Sequence, residues 1–229
     1  MQKDRRDKRS IGVAASQICM FRDRKDAGER LAAKLAGYRG QAATLLLALP
    51  RGGVPVAAAM ARSLALPMDV LPVRKIGAPS EPELAVGAVA GDGLVVLDEE
   101  TIAAMYISRA ALEAVITEQR QELLRREHLY RGDRAPPRIE GQTCILVDDG
   151  LATGYTMLAA VRAVRKLNPA KIVVAVPVAP RETLDRLATE ADEVVCALVP
   201  LRLAAVGQFY QDFRQISDAE VRDLMASEE

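Results

Sequence analysis

The sequence predicts an α/β fold built on a Rossmann-like parallel sheet with helices on both faces, and three observations lead there. Short apolar, strand-like runs alternate with stretches of helical periodicity along most of the chain. Two of those runs, at 44–49 and 143–147, pass directly into glycine-bearing loops that open helices, the arrangement that places ligands beyond the carboxyl ends of parallel strands. The third observation is bulk: 229 residues at 50% hydrophobic content supply a large core. No run approaches the roughly 18 apolar residues that a membrane helix requires.

Taken in order, the chain starts with a charged stretch, Met1 to Ser10. It lacks the apolar centre of a secretory signal, and its acids argue against a mitochondrial leader, so a flexible tail is expected. Asp23 or Asp26 is placed to cap a first helix. A strand at 44–49 runs into Pro50-Arg51-Gly52-Gly53-Val54-Pro55 and an alanine-rich helix at 54–65. Another strand at 68–73 leads to a stretch from Arg74 to Gly93 with four glycines and two prolines, which reads as a long loop of the kind that serves as a lid. A strand at 93–97 and a long charged helix at 99–130, inserted beside the core sheet, follow, and Arg131 to Pro137 returns the chain to the strand at 143–147. The remainder reads as a helix at 155–167 ended by Asn168-Pro169, a strand at 171–177, a helix at 180–190 opened by Pro180, and a strand at 193–198.

Most of the chemistry sits between Ile145 and Met157, Ile-Leu-Val-Asp-Asp-Gly-Leu-Ala-Thr-Gly-Tyr-Thr-Met. The apolar run is a strand buried on both faces, and it delivers Asp148 and Asp149 to its carboxyl end. Adjacent acids there can accept hydrogen bonds from vicinal hydroxyls or hold a hydrated Mg²⁺, indirectly through water or through the ligand's own oxygens. Gly150, Leu151, Ala152, Thr153 and Gly154 then form a small-residue turn with accessible N–H groups. Thr153 and Thr156 add hydroxyls, and a helix starting near Tyr155 directs its positive end inward, which suits a monophosphate. Only three residues separate Gly150 from Gly154, and Tyr155 stands where a Walker-type loop needs lysine, so a nucleoside triphosphate loop is excluded. In the earlier loop, Gly52 and Gly53 allow close backbone approach to an anion, and Arg51 can fork onto phosphate oxygens.

With these residues the segment closely resembles the binding signature of type I phosphoribosyltransferases, which use 5-phosphoribosyl-1-pyrophosphate. The resemblance covers the chain from about Met20 onward and is strongest in the three loops. It implies that Asp148 and Asp149 hold the ribose hydroxyls, that Gly150 to Thr156 hold the 5′-phosphate, that Arg51, Gly52 and Gly53 with Arg74 and Lys75 bind pyrophosphate, and that a mobile lid after residue 73 closes over the reaction. Lys75 is thereby a candidate catalytic residue. Members of the group begin near the Met20-Phe21-Arg22-Asp23 segment, so 1–19 is expected to be an extension and 20–229 the domain. An acid usual in hypoxanthine-guanine enzymes is replaced here by Ala152, and the Ala-Thr-Gly-x-Thr-Met form is similar to adenine enzymes, which rely on a lid glutamate. Glu81 and Glu83 are the candidates for that proton-handling role. The Pro50 to Pro55 loop departs from the adenine enzymes' usual form, so the base stays unassigned.

The family covers its base with a variable hood, for which 200–229 is the candidate. It concentrates Phe209, Tyr210 and Phe213 in a chain that is only 3% aromatic. Phe209 and Tyr210 either stack on a planar base or pack that segment against the core. Lys and Arg total 31 against 31 Asp and Glu, so no general attraction to nucleic acid is expected. Cys19, Cys144 and Cys196 are odd in number and lack metal spacing, which fits reduced thiols in the cytoplasm. The lone His128 falls on the charged face of the long helix. The expectation is a Mg²⁺-dependent phosphoribosyltransferase of nucleotide salvage, cytoplasmic and homodimeric, acting on small molecules. The alternatives are a non-catalytic sensor of the sugar pyrophosphate and a sugar-phosphate hydrolase.

Overall fold

The computed structural model describes residues 20–91 and 93–227, apart from the side chains of Pro82 and Glu83; the expected extension at 1–19, with Cys19, lies outside the described residues. A five-stranded parallel sheet forms the centre, in the order β2 (Met68–Val70), β1 (Thr44–Ala48), β6 (Thr143–Val147), β7 (Lys171–Val178), β8 (Glu193–Leu198). Alternation along the inner strands feeds two cores. Leu46, Ile145 and Val173 face α1 (Arg24–Lys34), α2 (Gly53–Leu64) and the carboxyl-terminal α7 (Asp218–Ala226). Leu47, Leu146 and Val174 face α5 (Tyr155–Arg165) and α6 (Arg181–Leu187). Both faces are therefore covered, as the continuous apolar runs require. No helix among the described residues is long and apolar enough to cross a membrane.

Four expectations about elements are corrected. The run at 68–73 divides, because Leu71-Pro72 separates β2 from β3 (Val73–Ala78). The expected long loop is largely strand: β3 turns at Pro79-Ser80 into β4 (Glu81–Ala90), which pairs antiparallel with β5 (Leu94–Leu97) in a separate three-stranded sheet. Two of its glycines lie within strands. Gly77 sits at a break in the β3–β4 register and Gly87 lies within β4, while Ile76, Val86 and Val89 are buried against α4 (Arg109–Arg131). The strand at 93–97 thus belongs to this second sheet, not the central one. The long helix at 99–130 is broken into α3 (Glu99–Ala104) and α4, with Ser108 capping α4 through the Ala111 N–H. His128 is exposed on α4, and Cys144 is buried in β6 with its thiol pushed up to about 11 by burial.

Asp23 is the cap of α1, accepting the Asp26 N–H at 2.8 Å. The sequence also contained an unread helix start: Ser217 and Glu220 form a reciprocal capping box on α7. Ile145 is fully buried in the middle strand. Ile145→Ala is expected to lower stability by about 3 kcal/mol, read as a drop in urea midpoint at unchanged slope. An unmoved midpoint would contradict this placement.

Candidate functional site

The carboxyl ends of β1 and β6 lie side by side, so the loops that follow them meet. Leu49 N–H donates to the Val147 carbonyl at 2.8 Å, and Gly53 N–H donates back to the Leu49 carbonyl at 3.0 Å. The Pro50–Arg51 peptide is cis. Gly52 rests directly on the Asp149 carboxylate, where an added Cβ would overlap it, so only glycine lets the two loops touch here.

Asp149 is the centre of the contacts. Its Oδ2 accepts from Arg24 Nε at 2.8 Å, in a pair whose side chains are 14% and 9% exposed. Arg24 reaches from the first turn of α1, donates Nη1 to the Arg214 carbonyl at 2.9 Å and stacks 4.0 Å over the Phe213 ring. Tyr210 donates its hydroxyl to the Asp149 carbonyl at 2.6 Å. Burial and the neighbouring Asp149 charge push the Asp148 carboxyl well above the usual carboxylate range. Burial also raises Asp149, and the Arg24 guanidinium opposes that rise.

Beyond the acids the chain opens. Leu151 N–H is committed to the Val178 carbonyl at 2.8 Å, whereas Ala152, Thr153, Tyr155 and Thr156 are exposed. Gly154, at φ +73°, caps α5 from the left-handed region. A cleft of about 420 Å³ is lined by Arg24, Arg51, Gly52, Asp149, Phe213, Gln215 and Ile216. On its far side Arg51 Nη1 lies 3.8 Å from Asp218 Oδ1, which also accepts the Tyr130 hydroxyl at 2.6 Å. Burial, with this hydrogen bond second, pushes Tyr130 up to about 12.

The predicted residues are only partly brought together. Asp148, Asp149, the 150–156 segment and the Arg51 loop assemble at one edge. Arg74 and Lys75 instead line a different cleft with Glu118, Gln119 and Arg126, and Arg74 Nε donates to Gln119 Oε1 at 3.0 Å. Glu81 is exposed at the start of β4, and the Glu83 side chain falls outside what is described. Phe209 and Tyr210 are packed, at 2% and 4% exposure, against Phe21 and Val178. The half-buried ring in the cleft is Phe213. Arg24 was missed altogether: it follows a recognisable helix cap, but no local pattern marks its partner 125 residues away.

A family profile described as a phosphoribosyl transferase domain matches residues 15–205. The crystal structure of TT1426 from Thermus thermophilus is 44% identical, with a TM-score of 0.82 over 91% of this chain and 98% of that one. Mycobacterium tuberculosis strains H37Rv and CDC 1551 carry a provisionally named phosphoribosyl transferase that is 46% identical over 202 residues. That alignment covers 88% of this chain and 45% of the relative, so the chain spans about half the length of those proteins.

The geometry predicts opposite signs for neighbouring substitutions. Asp148→Asn removes one of two buried like charges and keeps an oxygen for the Asp149 N–H, which it now accepts at 2.8 Å, so Tm should rise at neutral pH. Arg24→Met strips Asp149 of its ion-pair partner and should cost about 3 kcal/mol. Melting curves showing the same sign for both would contradict the arrangement.

Proposed function

Because the chain belongs to the phosphoribosyl transferase domain family, we propose that it transfers the 5-phosphoribosyl group of 5-phosphoribosyl-1-pyrophosphate to a nitrogenous base and releases pyrophosphate. The observation that carries this reading is the pair Asp148 and Asp149 at the head of an open N–H loop, with the Arg51–Gly53 loop seated on Asp149 through Gly52.

In this reading the ribose hydroxyls donate to Asp148 and Asp149, and the N–H groups and hydroxyls of the 150–156 segment hold the 5′-phosphate. Arg51, with the backbone of Gly52 and Gly53, receives the pyrophosphate. The bond from the ribose anomeric carbon to pyrophosphate oxygen breaks as a bond to the base nitrogen forms, and charge stabilisation with alignment supplies most of the rate. Arg74 and Lys75, which follow the carboxyl end of the strand beside β1, line a separate cleft with Gln119 and Arg126, so their assignment to the departing pyrophosphate requires the β3–β4 hairpin to move toward Arg51. Glu81 or Glu83 is assigned to the proton leaving the base. Phe213, rather than the packed Phe209 and Tyr210, is the ring offered to the base, and residues 20–24 and 209–216 together make the hood.

Mg²⁺ suits this donor set. Asp148 and Asp149 offer hard carboxylate oxygens that could hold a hydrated ion through water or through substrate oxygens. The ion would neutralise pyrophosphate charge when bound, while Arg51 supplies the chain's own positive charge at this edge.

Incubation with the sugar pyrophosphate, Mg²⁺ and a panel of bases tests the assignment by following pyrophosphate. Base-dependent release is expected, with Asp149→Asn and Arg51→Ala each lowering kcat/KM by about a hundredfold. Base-independent release would indicate hydrolysis instead, and binding without release would indicate a sensor.

A further inference from the structure

The loop proposed to hold the 5′-phosphate is gripped from behind by α6. Thr183, 1% exposed, donates its hydroxyl to the Ala152 carbonyl at 2.8 Å, and Arg186 Nη2 donates to the Thr153 carbonyl. In a trans peptide the carbonyl and the following N–H point in opposite directions. Drawing those two carbonyls toward α6 therefore turns the N–H groups of Thr153 and Gly154 away from it. Neither N–H donates to any group among the described residues.

Two further contacts fit the same purpose. An added Cβ on Gly154 would come 2.5 Å from Thr183 Cγ2, so glycine at this position lets α6 approach closely enough for the hydroxyl to reach Ala152. Arg186 lies with its guanidinium carbon 4.8 Å from the centre of the Tyr155 ring, the first residue of α5, which fixes it across the mouth of the helix. The signature segment alone does not specify these contacts, since both donors come from the following βα unit.

The geometry points to Thr183 and Arg186 as positioning residues for the 5′-phosphate, acting through the Ala152 and Thr153 carbonyls to hold two N–H donors toward the anion. This rests on the phosphoribosyl reading above. The residues touch no reacting atom; they fix donors in advance, so that binding does not have to order the loop. Their effect is confined to one end of the substrate, which separates positioning from general support of the fold.

Isothermal titration of the full chain with 5-phosphoribosyl-1-pyrophosphate and, separately, with inorganic pyrophosphate, both with Mg²⁺, reads that difference. Thr183→Val should weaken the sugar pyrophosphate about tenfold and leave inorganic pyrophosphate within about twofold, and Thr183→Ser should restore binding. Arg186→Gln, at a half-exposed surface position, should show the same selective loss should the valine variant fold poorly. Arg51→Ala serves as the reciprocal control, losing inorganic pyrophosphate. Equal loss for both ligands, or no loss for either, overturns the positioning role. Failure of the unmodified protein to bind either ligand would instead sink the phosphoribosyl reading itself.

Discussion

Two carboxylates and one guanidinium, all largely withdrawn from water, set the conditions that the rest of the carboxyl edge has to meet. Asp148 and Asp149 are adjacent, both are pushed toward protonation by burial, and Arg24 is the cation in contact with Asp149. A charge taken out of water is tolerated only when it is paired and hydrogen-bonded. Arg24 must therefore be delivered accurately, and that requires α1 to dock in full. Leu31 and Ala32 of α1 pack into the same core as Val56, Ala57 and Met60 of α2. Hydrophobic burial some distance away thus secures an ion pair at the site.

The parallel sheet contributes in a different way. Because β1 and β6 run in the same direction and in register from Thr44 opposite Thr143 to Ala48 opposite Val147, their chains leave the sheet at the same level. The two loops proposed to bind anions then meet with no connecting element of their own. Gly52 converts that meeting into contact, and Gly154 does the same between the next loop and α6. The closed side is filled by the Asp149 side chain at Gly52 and by the Thr183 side chain at Gly154.

How much of this was legible follows from the range over which each feature is encoded. The strand and loop from Ile145 to Thr156 and the Arg51 loop are contiguous, so apolar runs, paired acids and glycines revealed them directly. The central sheet was legible for the same reason. The β3–β4 hairpin was not, since Gly77 and Gly87 look like loop formers until their strand partners are known. The break before Ser108 was hidden by charge patterning that is helical on both sides of it. Arg24, Thr183 and Arg186 were illegible because each acts on a backbone or side-chain group that only the fold brings near. Phe209 and Tyr210 illustrate the reverse: an aromatic cluster identified the right segment, but burial against Phe21 and Val178 selects Phe213 as the ring that lines the cleft.

Residues from opposite ends of the described chain are stitched together beside Asp149. Phe21 N–H donates to the Phe209 carbonyl, Gln211 N–H to the Phe21 carbonyl and Asp212 N–H to the Arg22 carbonyl, while Arg24 binds the Arg214 carbonyl across 190 residues. On a ribosome, which extends the chain from its amino end, the parallel sheet has all its strands once residue 198 has emerged. Arg24 at that moment has neither Phe213 nor the Arg214 carbonyl to rest against. All five strands of the sheet are therefore made before the cleft can be walled, and both that wall and the α7 cover of one sheet face wait for the last residues of the chain to emerge.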